Sequence, residues 1–331
     1  MHFDCIFFDP IGYKYFDRMT LEKEALGGTE ATIVRVAEGL AELGLKVAVV
    51  QTTAEYFAPI MGQHCFFVHA QDISDYTCKH YIQVRSYLNP HLFPGAKQYL
   101  WLHDVANHEE TEKLNDLIRF KVTVIAVSRW HRNNVRDMLP GYSNIRYIYN
   151  PVNDSLFSTP YNDNYDRTKL VWVASPHKGL RHALNLFKQI KAKNDKMELI
   201  IFNPGYTQLD TAELSLMNGV NCYGPMNCAS VWGVVKKSLA VFYPTKWDET
   251  FGLIAAEANA LGTPLITFNR AALKEVISSN EQFAQDDESA IQKALDWSAN
   301  GRPQVAGRDE FKFSNVIMDW VKLLAGGLII P

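Results

Sequence analysis

The sequence predicts an α/β protein built from two parallel-sheet domains, and three observations predict it. Short apolar runs of strand length alternate with segments of helical spacing along most of the 331 residues. The alternation is interrupted near the middle by a stretch rich in Asn, Asp and Pro, after which a second series begins. Around residue 250 two apolar runs flank an Ala- and Glu-rich helix, which makes a β-α-β unit with a right-handed parallel crossover.

The first series opens with a strand at Phe3 to Phe8, followed by a loop containing Asp9, Pro10 and Gly12. Gly27-Gly-Thr-Glu30 then starts a helix whose Ile33, Val34, Ala37, Leu40 and Ala41 fall at helical spacing, and Gly44 stops it before a strand at Lys46 to Val50. Glycine lets the backbone approach a phosphate at such a turn, although a Gly pair before a helix is equally often a plain turn. Further strands are expected at Tyr81 to Val84, Gln98 to Leu102, Val122 to Val127 and Arg146 to Tyr149, with helices over 110–119 and Arg129 to Met138. Residues 1–150 form the first domain, 151–168 the linker and 169–314 the second domain.

The second series comprises a strand from Lys169 to Ala174, a helix from Leu180 to Ala192, a strand at Glu198 to Phe202 and a short helix from Ala229 to Lys237. The β-α-β unit completes it: strands at Ser238 to Tyr243 and Pro264 to Phe268 enclose a helix over Phe251 to Leu261. Thr250 or Glu249 is expected near its N-cap, and Gly262 is its stop. The turn from Glu249 to Leu253 therefore lies at the carboxyl edge of a parallel sheet, where open α/β sheets bind ligands. The N–H groups of Thr250, Phe251, Gly252 and Leu253 would form an anion seat at the helix start. Glu249 is a poor neighbour for an anion but a good acceptor for hydroxyl groups.

Composition narrows the classes further. A formal charge of −3 gives no field for a polyanion, so a nucleic-acid partner is not expected. The five cysteines are scattered without C-x2-C spacing, which fits reduced thiols and a cytoplasmic location. No run reaches transmembrane length; the apolar end from Leu323 to Pro331 packs on the body or makes peripheral membrane contact. A nicotinamide dehydrogenase is disfavoured because no G-x-G-x-x-G follows the first strand.

The segment from Tyr243 to Ile277, with Glu249-Thr-Phe-Gly-Leu253, Glu257, Leu261-Gly-Thr-Pro264 and Lys274-Glu-Val-Ile277, resembles the donor half of GT-B retaining glycosyltransferases. Among them it is most similar to the family 4 group. The resemblance implies two Rossmann-like domains facing each other across a cleft, with a C-terminal helix, about 315–331, crossing back to the first. It implies that Glu249 contacts donor-sugar hydroxyls and Glu257 the nucleotide ribose. Gly27 and Gly28 resemble the turn that faces the donor phosphates, and Lys178 in Trp172-Val-Ala-Ser-Pro-His-Lys-Gly179 matches a lysine on the diphosphate. Ser175 and Pro176 stand where the family has an Arg, leaving helix N-termini, Arg181 or His177 to offset the remaining charge. Tyr223, in Asn221-Cys-Tyr-Gly-Pro225, falls in the segment lining the base pocket.

His103, in Trp101-Leu-His-Asp104, matches a histidine near the donor sugar; Asp104 either orients it or binds acceptor. His103, Asp104 and His108 match no standard metal-ligand spacing, so neither metal nor cofactor is expected beyond the donor. Tyr13, Tyr15 and Phe16 either stack on an acceptor sugar or close a core. The expected activity is retaining, metal-independent transfer from a nucleotide diphosphate sugar, assigned to His103, Glu249 and Lys178. A nucleotide-sugar epimerase or hydrolase, or a non-catalytic nucleotide-sugar binder, is the alternative.

Overall fold

Thirteen strands in two wholly parallel sheets organise the chain, in a computed structural model that describes residues 1–53, 64–106, 112–158, 164–203 and 211–326. The first sheet contains β1 (His2–Asp9), β2 (Val47–Gln51), β3 (Cys65–His69), β4 (Thr77–Val84), β5 (Lys97–Trp101), β6 (Thr123–Ala126) and β7 (Ile145–Tyr147). Their order is β3-β2-β1-β4-β5-β6-β7. The second contains β8 (Asp166–Trp172), β9 (Glu198–Phe202), β10 (Val220–Tyr223), β11 (Ser238–Tyr243), β12 (Leu265–Phe268) and β13 (Phe283–Ala284), in the order β10-β9-β8-β11-β12-β13. Both are doubly wound: the order reverses between β1 and β4 in one sheet and between β8 and β11 in the other. Crevices for ligands open beside those reversals at the carboxyl ends of the strands.

The chain divides into two compact units. The first comprises residues 1–18, 28–151 and 313–331, and the second residues 19–27 and 152–312. The linker expected over 151–168 instead enters the second unit: Val152 bridges Lys312, a short helix spans Asp154–Phe157, and β8 already begins at Asp166. Residues 159–163 of that stretch lie outside the described residues.

In the first unit the helix Gly28–Glu42 is buried over most of its surface, not only along the stripe its spacing suggests. The reason is the helix Phe313–Leu324, which packs against it so closely that a Cβ on Gly39 would stand 2.7 Å from Ile317 and Phe313 atoms. Trp320 of this helix meets the rings of Trp101 and Phe7 at 4.7 and 5.7 Å, which anchors the C-terminal segment on the first unit by aromatic burial. Residues 327–331 of the expected helix over 315–331 lie outside the described residues, as do residues 107–111, which include His108 and the start of the helix expected over 110–119; the observed helix runs Leu114–Arg119.

Among the described residues no helix is long and apolar enough to cross a membrane. Of the loop aromatics, Phe16 is fully buried, Tyr15 donates to Asp17, and Tyr13 is exposed. Phe16 therefore closes core.

Candidate nucleotide-sugar site

At the reversal of the second sheet, the loops following β8 and β11 are tied together. After β8 the chain passes through Ser175 and a 3-10 turn, Pro176–Lys178, to Gly179 and the helix Leu180–Lys193. After β11 it reaches Thr245, whose buried hydroxyl donates to the carbonyl of Lys178 at 2.7 Å and accepts from the N–H of Trp247 at 3.0 Å. This brace sets Lys178 opposite Glu249. The Lys178 ammonium donates to both carboxylate oxygens of Glu249, at 2.8 and 3.0 Å, and the Tyr243 hydroxyl donates to Oε1. Glu249 is only 7% exposed, and a carboxylate is tolerated there because three donor contacts and one positive charge replace its lost water.

The helix that follows starts later than its sequence suggests. Leu253 is its first residue and Gly252, at φ +87°, is its N-cap, so neither Thr250 nor Glu249 caps it. The left-handed turn at Gly252 carries the chain away from helical geometry before Leu253, and Phe251 is buried against the Phe311 ring at 5.2 Å. The helix dipole thus points outward from Leu253 and its neighbours, and Thr250 and Phe251 belong to the turn before it. The backbone N–H of Ala272 donates to the Glu249 carbonyl at 3.2 Å, which fixes the turn from the other side. Glu257, one helical turn beyond Leu253 and on the same face, accepts from the indole N–H of Trp232 at 3.1 Å.

Tyr223 lies at the carboxyl end of β10, 45% exposed, with its ring stacked on Phe202 at 5.6 Å. Lys178, Tyr223, Glu249, Thr250, Phe251, Gly252, Leu253 and Glu257 therefore all belong to the carboxyl-edge loops of the second sheet or the helix that follows them.

The remaining candidates belong elsewhere. The division between units passes between Gly27, which groups with the second, and Gly28, which opens the long helix of the first. His103 follows β5 at the carboxyl edge of the first sheet, buried, with its ring 4.5 Å from that of Trp101. Burial above all, then the nearby Arg85 charge and His131, hold its imidazole neutral, well below the usual histidine range.

Arg85 is a feature that sequence patterning missed. It follows β4 with φ +67°, where a non-glycine residue is strained, and pairs with Glu30 and with Asp9 at 3.5 Å. Burial is the largest influence on Asp9 and raises its carboxyl above the usual range. The signal that could have found this cluster is a pair of charged residues directly ending two apolar strands that the reversed order makes neighbours.

Burial also lowers the neighbouring His131 to about 4 from 6.5. The N–H of Val127 donates to its Nδ1 at 3.2 Å, a bond that the ring loses on protonation there. Between these values the unfolded chain binds the extra proton, so the stability His131 contributes is present above pH 6.5 and is lost as pH falls toward 4. The loss is about 3 kcal/mol. Urea unfolding of the His131→Asn variant across this range should show a shallower pH dependence than wild type, and an unchanged slope would refute the assignment.

Among the described residues no group of three His, Cys, Asp or Glu side chains is placed to hold a metal ion.

Residues 160–306 match the family model described as Glycosyl transferases group 1. No curated protein matches the chain. Among solved structures, it is similar over 98% of its length to sucrose-phosphate synthase from Thermosynechococcus elongatus, covering 98% of that chain with 16% identity and a TM-score of 0.69. It is similar to Anabaena HepE, solved with UDP and glucose, over 98% of this chain and all of that one, with 14% identity and a TM-score of 0.66. It also resembles S. aureus TarM, solved as a mutant with UDP and alpha-GlcNAc-glycerol, at 14% identity and a TM-score of 0.55. There the match takes in 76% of this chain, which spans 55% of TarM. These likenesses establish the GT-B fold.

Proposed function

We propose, from the premise that this chain is a GT-B protein whose residues 160–306 form a group 1 glycosyltransferase domain, that it transfers a sugar from a nucleotide diphosphate sugar to a hydroxyl acceptor. The observation that carries the proposal is the Lys178–Glu249 pair at the reversal of the second sheet. Each partner occupies the other in the way a donor would occupy both. Phosphate oxygens can replace the carboxylate at Lys178, and sugar hydroxyls can replace the ammonium and phenol as donors to Glu249. The exchange keeps both charged groups hydrogen-bonded, so donor entry need not strand either group.

In the transfer, the bond from the anomeric carbon to the diphosphate oxygen breaks, and a bond to the acceptor oxygen forms. The acceptor proton passes to the departing diphosphate. Negative charge on that diphosphate is greatest in the transition state, so Lys178 and the helix dipole at Leu253 stabilise it most when it matters. We assign the transfer as retaining and metal-independent, with Glu249 orienting the sugar and Glu257 the ribose. UDP in the solved HepE and TarM supports a nucleoside diphosphate as leaving group.

A non-catalytic nucleotide-sugar binder is the second reading, favoured by Ser175 and Pro176 at the position where a second cation would stand. Thermal-shift titration with a panel of nucleotide sugars tests the donor, because a ligand of the native state raises its stability. Product analysis with a sugar acceptor library, with and without chelator, then tests the reaction. Activity that chelator abolishes and a divalent ion restores would overturn metal independence; donor binding without product across the library would favour the binder.

A further inference from the structure

An exposed aromatic corner adjoins the Lys178–Glu249 pair. Trp247, 45% exposed, and His177, also exposed, meet with ring centroids 5.1 Å apart and planes inclined at 69°. Neither ring hangs from a loose loop. The backbone of Trp247 is fastened through its N–H to Thr245, and Thr245 in turn to the carbonyl of Lys178. The imidazole Nδ1 of His177 is within 2.8 Å of the buried Ser175 hydroxyl, which leaves Nε2 as the ring nitrogen that can reach a ligand hydroxyl. A single exposed Trp is ordinary on a protein surface. Two rings locked at a wide angle, one beside the lysine and the other two residues before the glutamate, are not accounted for by packing the core.

We infer that Trp247 and His177 form the wall against which the donor sugar stacks, with the apolar C–H face of a pyranose on the indole and a hydroxyl on the imidazole. The inference rests on the donor reading above. A pyranose is apolar on its ring faces and polar around its rim, so the chemistry that recognises it is an aromatic face combined with peripheral hydrogen-bonding groups. Glu249 supplies one such group and His177 the other. A diphosphate at Lys178 and hydroxyls at Glu249 bring the sugar to this corner, because the brace at Thr245 holds both loops in one arrangement. Trp247 is then a positioning and specificity residue: it discriminates a sugar conjugate from the bare nucleotide and takes no part in bond making.

The test is calorimetric titration of the full chain with UDP, dTDP, GDP and ADP and with their glucose, N-acetylglucosamine and mannose conjugates. Wild type, Trp247→Ala, Trp247→Leu, Trp247→Phe and His177→Ala are compared, with melting temperature as a check of folding. For the conjugate that wild type binds, Trp247→Ala and Trp247→Leu should each raise Kd about tenfold, while Trp247→Phe, which keeps an aromatic face, stays within about threefold. Affinity for the matching free nucleotide should stay within about twofold in every variant. His177→Ala should weaken the conjugate about fivefold. Equal weakening of conjugate and free nucleotide, or no weakening of either, overturns the stacking wall and leaves the donor reading standing. Failure of wild type to bind any conjugate overturns the donor reading itself, and the wall with it.

Discussion

Glu249→Gln should lower turnover of the nucleotide sugar by about 10²- to 10³-fold while nucleoside diphosphate affinity holds or improves. The opposite signs follow from geometry. In the native chain the Glu249 carboxylate holds both contacts of the Lys178 ammonium, and removing its charge releases that cation for phosphate oxygens. The amide cannot accept hydroxyl donors at both of its outer atoms, so the sugar loses its orientation. Glu257→Gln should behave differently, weakening the nucleoside diphosphate by about tenfold with a smaller effect on the turnover of bound donor. Its carboxylate, one helical turn beyond Leu253, is oriented by Trp232, apart from the lysine contact. Steady-state kinetics with parallel calorimetry separates the two, and similar near-wild-type behaviour in both variants would refute the site.

Gly252→Ala should destabilise the chain by about 2–3 kcal/mol and cut activity beyond what unfolding explains. Two costs add. A Cβ-bearing residue at φ +87° pays for the left-handed conformation, and the new methyl would stand 2.8 Å from a Leu273 terminal carbon, too close unless one of them moves. Relief requires a rotamer change of the fully buried Leu273 or a shift of the turn that carries Glu249, whose carbonyl is braced by Ala272. Urea unfolding measures the first effect, and turnover at a temperature where the variant remains folded measures the second. Wild-type stability would show that the turn tolerates the change.

Much of this architecture was legible in the sequence because its signals are local. The apolar runs at Glu198–Phe202 and Ser238–Tyr243 coincide with β9 and β11, and the helix Arg129–Met138 agrees at both ends. What escaped was short or strained. The strand Cys65–His69 lacks an alternating pattern, and Phe283–Ala284 is two residues long. The true N-cap at Gly252 was obscured because Phe251 reads as the first apolar residue of a helix, whereas it is buried against Phe311 ahead of it. The Asp286–Ser289 capping box before the helix Asp287–Asn300 was a local signal that patterning passed over.

The candidate site divides in the same way. Parallel β-α-β connections place the loops after β8 and β11 at the carboxyl edge, so Glu249 could be selected from chain order and local pattern, whereas Lys178 was singled out by its resemblance to the family motif. That Lys178 grips Glu249 across 71 positions, that Tyr243 donates to the same carboxylate and that Trp247 meets His177 were decided by the tertiary structure. Local pattern specifies which edge a loop leaves from. Which side chains meet there depends on strand order, on the brace at Thr245 and on the left-handed turn at Gly252, and these form only when distant segments pack together.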